Sequence, residues 1–184
     1  MFTELLEQLG PALDAAGIPY MLIGGQAVLL YGEPRLTRDI DLVLGIGPER
    51  LPDLLRTMDA IGLQVRVADS AQFVAQTMVL PCEQPGTGIR VDCILSSSPY
   101  EQHALQRVRV VTIGRAELRF AALEDLIIHK IIAGRPRDLE DVRTVLLKNP
   151  NVDAVSIRQW LEEFERALAK PYLQRFGEIW KITR

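Results

Sequence analysis

The chain has 184 residues, 48% hydrophobic and 24% charged, with a formal net charge of −3. That balance suits one globular domain or a domain with a small appendage, and it lacks the global basic field that draws a protein onto nucleic acid. No apolar run approaches the roughly 20 residues that cross a bilayer, so no membrane partner is expected.

The N-terminus, "MFTELLEQLG", is acidic and lacks the basic-then-apolar order of a secretory signal. A cytoplasmic setting follows as the expectation. There Cys82 and Cys93, which stand in no metal-ligand spacing, read as buried free thiols.

In chain order, Leu5, Leu6, Leu9 and Leu13 recur at helical spacing up to Gly17 and Pro19. "YMLIGG" then predicts a short buried strand that stops at a glycine pair, and "QAVLLYG" a two-turn helix closed by Gly32. "DIDLVLGI" reads as a strand and "ERLPDLLRTMDAIG" as an amphipathic helix with Pro52 in its first turn. Three β-rich runs follow, "LQVRVA", "QFVAQTMVLP" and "IRVDCILS", the last two separated by the turn "EQPGTG". "SSSP" reads as a loop and helix cap, and "VRVVTIG" with "AELRFA" as a hairpin around Gly114 and Arg115.

From Ala122 the character changes. "ALEDLIIHKIIAGR", "PRDLEDVRTVLLKN" and "DAVSIRQWLEEFERALAK" all carry helical periodicity, broken at Pro136 and Asn149-Pro150. The expectation is an α/β (α+β) core over residues 1–121, a mixed sheet flanked by helices. A C-terminal helical region over 122–184 would pack on it without a flexible linker.

The chemistry concentrates in "IGGQAVLLYGEPRLTRDIDLVL". Strand interiors disfavour aspartate, yet Asp39 and Asp41 stand at i and i+2, on one face, about 6.5–7 Å apart along the strand. "RVDCIL" places a further carboxylate, Asp92, on a second strand. If the two strands are neighbours, three carboxylates converge, and a cation is needed for all of them to stay ionised. Mg²⁺ suits such oxygen donors and keeps positions open for water and phosphate. Two such ions can clamp both oxygens of a phosphoryl transfer. Gly24 and Gly25 stand between a strand and a helix start, where phosphate can approach the bare backbone.

Farther on, Lys130, Arg135, Asp138 and Asp141 fall within twelve residues. Spacing alone leaves Lys130 either reaching a phosphate as a point charge or lying along a helix surface. Asp138 either joins a site, caps the helix that begins near Pro136, or pairs with Arg135 or Arg137. Asp141 reads as solvent-facing or ion-paired. His103 and His129 lack partners at zinc or nucleophile spacing, and Trp160 and Trp180 read as core or interface residues.

"GGQAVLLYGEPRLTRDIDLVL" resembles the signature of the DNA polymerase β-like nucleotidyltransferase superfamily. The wording "RLTRDIDLVL" is most similar to small bacterial members: the AbiE-type toxin nucleotidyltransferases, minimal nucleotidyltransferases, and the aminoglycoside and lincosamide nucleotidyltransferases. Many members of the superfamily have Ser where this chain has Gly25. The resemblance implies a nucleotidyltransferase fold in which Gly24 and Gly25 hold a nucleoside triphosphate and Asp39, Asp41 and Asp92 are catalytic metal ligands for two Mg²⁺ ions. Asp92 would also serve as base toward the attacking hydroxyl. The relatives' Lys…Ala…Arg…Asp…Asp stretch implies nucleotide-binding roles for Lys130 and Asp138. Arg35 and Thr37 match their Arg-x-Thr-x-Asp wording, and Arg38 also precedes the acidic strand.

The implied reaction moves a nucleoside monophosphate from an NTP to an acceptor, releasing pyrophosphate. RNA or a protein, in a toxin–antitoxin or defence setting with a cognate partner, is the first acceptor class. A small hydroxylated antibiotic is the second. A reading of another class is a non-catalytic nucleotide-binding or antitoxin-like protein, and a homodimer through the C-terminal helices would suit either enzyme. An RNA acceptor calls for a basic face built from Arg107, Arg109, Arg115, Arg119 and "RPRDLEDVR".

Overall fold

A computed structural model of the chain describes residues 2–34, 36–37, 39–96 and 98–184; Arg35 and Arg38 fall outside them. The chain divides into two compact units, Met1–Gln26 with Thr37–Ala121, and Ala27–Leu36 with Ala122–Arg184. Its elements run, in order, α1 (Phe2–Ala15), β1 (Tyr20–Ile23), α2 (Gly24–Tyr31), β2 (Asp39–Leu44), α3 (Leu51–Ala60), β3 (Gln64–Val65), α4 (Ser70–Thr77), β4 (Val79–Gln84) and β5 (Ile89–Leu95). Then come α5 (Pro99–Leu105), β6 (Arg109–Ile113), β7 (Ala116–Phe120), α6 (Leu123–Ala133), α7 (Pro136–Lys148), α8 (Ala154–Leu168) and α9 (Tyr172–Ile182).

Among the described residues the seven strands belong to the first unit, in one mixed sheet ordered β3-β4-β5-β2-β1-β7-β6. The β1–β2, β4–β5 and β6–β7 pairs are antiparallel, whereas β2–β5 and β1–β7 are parallel. Alternation along the strands sorts side chains between two faces. One face carries Leu22, Ile40, Leu42, Val91, Cys93 and Leu118, all fully buried. The helices α1 and α3 cover it: Gly10 of α1 sits so close to Leu118 and the Tyr20 hydroxyl that a Cβ would collide with them, and Met58 Sδ of α3 lies 4.0 Å from Cys93 Sγ. Cys82 and Cys93 are free buried thiols, as their spacing implied. The other face is apolar only over part of its width. There Met21, Ile23 and Val43 pack with Ala104 of α5, beside Ile94 and Leu105. Beyond that patch the same face carries charge.

The expected mixed α/β class holds, with two local differences. "QFVAQT" is helical: the Asp69 side chain accepts from the Gln72 amide, and Met78 stops α4 in the left-handed region at φ 58°. Local capping outweighs the β propensity of Phe73 and Val74 there. Of "LQVRVA", only Gln64 and Val65 form a strand, at the edge of the sheet. At the other end of β5, Ser98 caps α5 by accepting from the Glu101 amide, as "SSSP" foretold.

The second unit is helical. Ile127, Ile128, Ile131, Val142, Val145, Leu146, Ile157, Leu161 and Phe176 form its buried apolar side chains. The segment Ala27–Leu36 is tied in by α7 and the residue that follows it. Asn149 Nδ2 donates to the Tyr31 carbonyl, Lys148 Nζ to that of Gly32, and Arg137 to that of Leu36. Trp180 packs within this unit, its ring against Phe176 and beneath the Arg184 guanidinium.

His129 on α6 has its Nε2 sealed from solvent. Burial lowers its pKa from 6.5 to about 4, against the opposing pull of Asp125. Between those values the unfolded chain takes up a proton that the folded chain refuses, so stability falls as pH drops from 6.5 toward 4. The loss expected from this residue is at most about 3 kcal/mol. Urea titrations across that window should give a shallower pH slope for His129→Leu than for wild type; an unchanged slope would remove the residue from the account.

Candidate active site

The charged part of the open face is organised about β2. Its neighbours are β1 and β5, and in register Asp41 stands between Ile23 of β1 and Asp92 of β5. Asp39 stands opposite Arg90. The strand expected beside "DIDLVL" is therefore its neighbour, and the two sequence-distant carboxylates Asp41 and Asp92 face each other across one ladder. Asp39 is exposed, while Asp41 and Asp92 are half-buried.

Gly24 begins α2 directly after Ile23, in the left-handed region at φ +62°. A Cβ at this residue would run into Oδ2 of Asp41. Glycine is thus required twice, by its backbone angle and by the carboxylate that abuts it. Gly25, buried, lies in the first turn of the helix. Gly24→Ala would pay the left-handed penalty of roughly 1–3 kcal/mol and would also displace the Asp41 carboxylate. A lower urea midpoint is expected, and, for a triphosphate held at Gly24 as the sequence implies, weaker Mg²⁺-dependent NTP binding; a variant with unchanged binding would show that the Gly24–Asp41 contact has no part in the site.

Burial first, and then the charge of Asp39, raise the pKa of the Asp92 carboxyl, while Arg66 and Arg90 pull the other way. Repulsion among carboxylates on one face is what a bound cation would relieve. Among the described residues no three carboxylate, histidine or thiolate groups form a ready-made metal cage. Mg²⁺ does not need one: it is commonly held by one or two carboxylates, with water and substrate phosphates completing its shell. The hard oxygen donors of Asp39, Asp41 and Asp92 fit that ion.

Two residues that the motif reading passed over share this face. Arg90 alternates with Asp92 in "IRVDCIL", so both side chains point the same way. Arg66 follows β3, its amide donating to the Pro81 carbonyl, and its guanidinium lies 3.2 Å from Glu83. The signal for Arg90 was the same i, i+2 alternation that revealed Asp39 and Asp41.

Lys130 and Asp138 belong to the helical unit. The Lys130 ammonium is buried, 2.7 Å from Asp138 Oδ1 and 2.9 Å from Asp141 Oδ2. Arg135 stands 3.8 Å from the other Asp138 oxygen. Asp141 is thus ion-paired and buried, and Lys130 is no surface lysine. The arginines offered for a basic face are partly engaged: Arg119 pairs with Asp14, Arg143 with Glu140, and Arg107 contacts His103.

No curated protein matches this sequence. Among solved structures, the antibiotic-resistance factor ANT(2'')-Ia superposes with a TM-score of 0.61 at 16% identity, over 96% of this chain and 97% of that one. An antigenic nucleotidyltransferase-like protein from Paracoccidioides brasiliensis gives 0.57 at 18% identity, over 91% and 88%. The lincosamide antibiotic adenylyltransferase LnuA, in its lincomycin-bound form, gives 0.50 at 14% identity, over 72% and 89%. At such identities the likeness concerns the fold. Residues 1–169, however, match the family described as nucleotidyltransferase of unknown function (DUF6036). That match spans most of the chain, Gly24, Gly25, Asp39, Asp41 and Asp92 included, and the chain belongs to this nucleotidyltransferase family.

Proposed function

We propose that the protein transfers a nucleoside monophosphate from an NTP to a hydroxyl group of a small molecule, in a Mg²⁺-dependent reaction at the Asp39–Asp41–Asp92 face. The observation that carries this reading is the pairing of Asp41 with Asp92 across β2 and β5, next to a glycine that admits no side chain. Asp39, Asp41 and Asp92 would hold the metal, which supplies neutralisation of the charge on the reacting phosphates.

The chain's own residues supply the rest. Gly24 and Gly25 leave the backbone at the start of α2 open to the triphosphate. Asp92, half-buried on β5 beside Asp41, would accept the proton of the attacking hydroxyl. The acceptor oxygen bonds to the α-phosphorus as the bond to the pyrophosphate oxygen breaks, and pyrophosphate leaves. Lys130 and Asp138 have a share in nucleotide binding on the strength of the motif resemblance, alongside their ion pair.

Two observations favour a small acceptor over RNA or a protein. Arg119 and Arg143, part of the supposed basic face, are neutralised by acids on the protein itself. The antibiotic-resistance factor ANT(2'')-Ia, solved also in complex with adenylyl-2''-tobramycin, shares this fold over almost its whole length. The toxin–antitoxin reading would regain its ground if labelled NMP passed to RNA or protein in preference to small alcohols. The primary test is calorimetric titration of each NTP with and without Mg²⁺. Binding that requires Mg²⁺ supports the site; no binding of any NTP at millimolar concentration overturns it in favour of a partner-binding protein.

A further inference from the structure

In-line displacement demands that the attacking oxygen approach opposite the leaving group. If the triphosphate lies at Gly24, as proposed, pyrophosphate departs on the β1 side of Asp41, and the acceptor comes from the β5 side. The ladders say what stands there. Continuing outward from Asp41 and Asp92, the same register line meets Pro81 of β4 and then Arg66, whose amide bonds to Pro81. The neighbouring line runs Asp39, Arg90, Glu83, Gln64. Cross-strand partners point to one face, so Glu83 and Arg66 stand beyond Asp92 on the side away from the glycines, while Arg90 stands two residues from Asp92 on β5 itself.

This flank differs from the carboxylate row beside it. It holds two guanidinium groups against one carboxylate, Glu83, which is engaged by Arg66 at 3.2 Å. Arg90 is exposed, and it stands opposite Asp39, a residue whose charge a bound cation would take up. Arginine presents a planar fork that matches phosphate and carboxylate oxygens two at a time. β3, at this edge of the sheet, has only two residues, and Arg66 directly follows it.

We propose that Arg90, with Arg66 beside it, forms an oxyanion subsite for the acceptor, which therefore carries a phosphate or carboxylate close to its reactive hydroxyl. This rests on the nucleotidyl-transfer reading and narrows its substrate class.

The test uses the full chain loaded with Mg²⁺ and a non-hydrolysable NTP analogue, titrated with inorganic phosphate and, separately, with acetate. Wild type should bind at least one of the two, and the preferred anion tells a phosphate ester from a carboxylic acid. Arg90→Ala should weaken that binding by roughly tenfold or more, as for loss of a charge-assisted hydrogen bond, and Arg90→Lys should restore part of it. Affinity for the Mg²⁺–NTP analogue should not fall with it in Arg90→Ala, since loss of a guanidinium opposite Asp39 removes no proposed ligand of the metal or the triphosphate. Absence of anion binding to loaded wild type, or equal binding by Arg90→Ala, overturns the subsite while leaving the nucleotide site intact. An equal loss of NTP affinity would assign Arg90 to the triphosphate and also overturn it. Failure of wild type to bind the Mg²⁺–NTP analogue at all is a failure of the underlying reading, distinguishable because it appears before any anion is added.

Discussion

Asp41→Asn is expected to lose Mg²⁺-dependent NTP binding while keeping its fold. The substitution preserves shape and one carbonyl oxygen but removes the charge at the centre of the face, where Asp41 abuts Gly24 at the start of α2 and stands opposite Asp92 on β5. A residue that merely orients a metal ligand already affects metal affinity by roughly 10–100-fold. With Asp41 a direct anionic ligand, as proposed, its loss should weaken binding by at least about a hundredfold. The calorimetric titration of NTP with Mg²⁺ checks this, and a retained melting temperature separates loss of ligand from loss of structure. Binding equal to wild type would mean that the carboxylate pair serves something other than a metal–nucleotide complex.

Lys130→Met is expected to reduce the stability of the protein sharply. The Lys130 ammonium lies within 3 Å of both Asp138 and Asp141, and all three residues are less than a tenth exposed. Its removal takes away the ammonium that two buried carboxylates share, and breaking a buried pair in this way costs about 3–5 kcal/mol. Arg135 is 3.8 Å from Asp138 and its side chain is largely in solvent, so it replaces little of that charge. Urea unfolding measures the loss. Neutralising the acids in the same background (Lys130→Met, Asp138→Asn, Asp141→Asn) should recover a substantial part of it. No recovery would show that the destabilisation comes from packing rather than charge. The nucleotide-binding role proposed for Lys130 is separable, because Lys130→Arg keeps the charge but alters its reach; weaker NTP binding with stability retained would favour that role.

The parts of this protein legible in the sequence are those where one local rule dominates. The i, i+2 spacing of Asp39 and Asp41 fixes a shared face on any strand, and a glycine pair between strand and helix marks a close backbone approach. The partner of the pair, Asp92, required a guess about which strands are neighbours. Register, and the juxtaposition of Asp41 with Asp92, arise only from the assembled sheet. Residues 72–77 were misread as strand because Phe73, Val74 and Thr77 favour β structure, whereas Asp69 and the left-handed Met78 bracket a helix. Arg66 escaped notice for a different reason: its relation to Asp92 passes through β4, an intermediate strand that carries no motif of its own.

The helical unit is assembled from discontinuous chain, since Ala27–Leu36 belongs to it together with Ala122–Arg184. The hydrogen bond from Asn149 to the Tyr31 carbonyl closes a sequence separation of 118 residues. During synthesis the second half of α2 must therefore wait, its partners unmade, until α7 and Asn149 have left the ribosome. At about 5–20 residues per second that delay lasts on the order of ten seconds. The same discontinuity governs how the protein can be dissected. A fragment beginning at Ala122 would lack Val28 and Tyr31, two of its own buried side chains, and severing the chain there would yield an incomplete core rather than a domain.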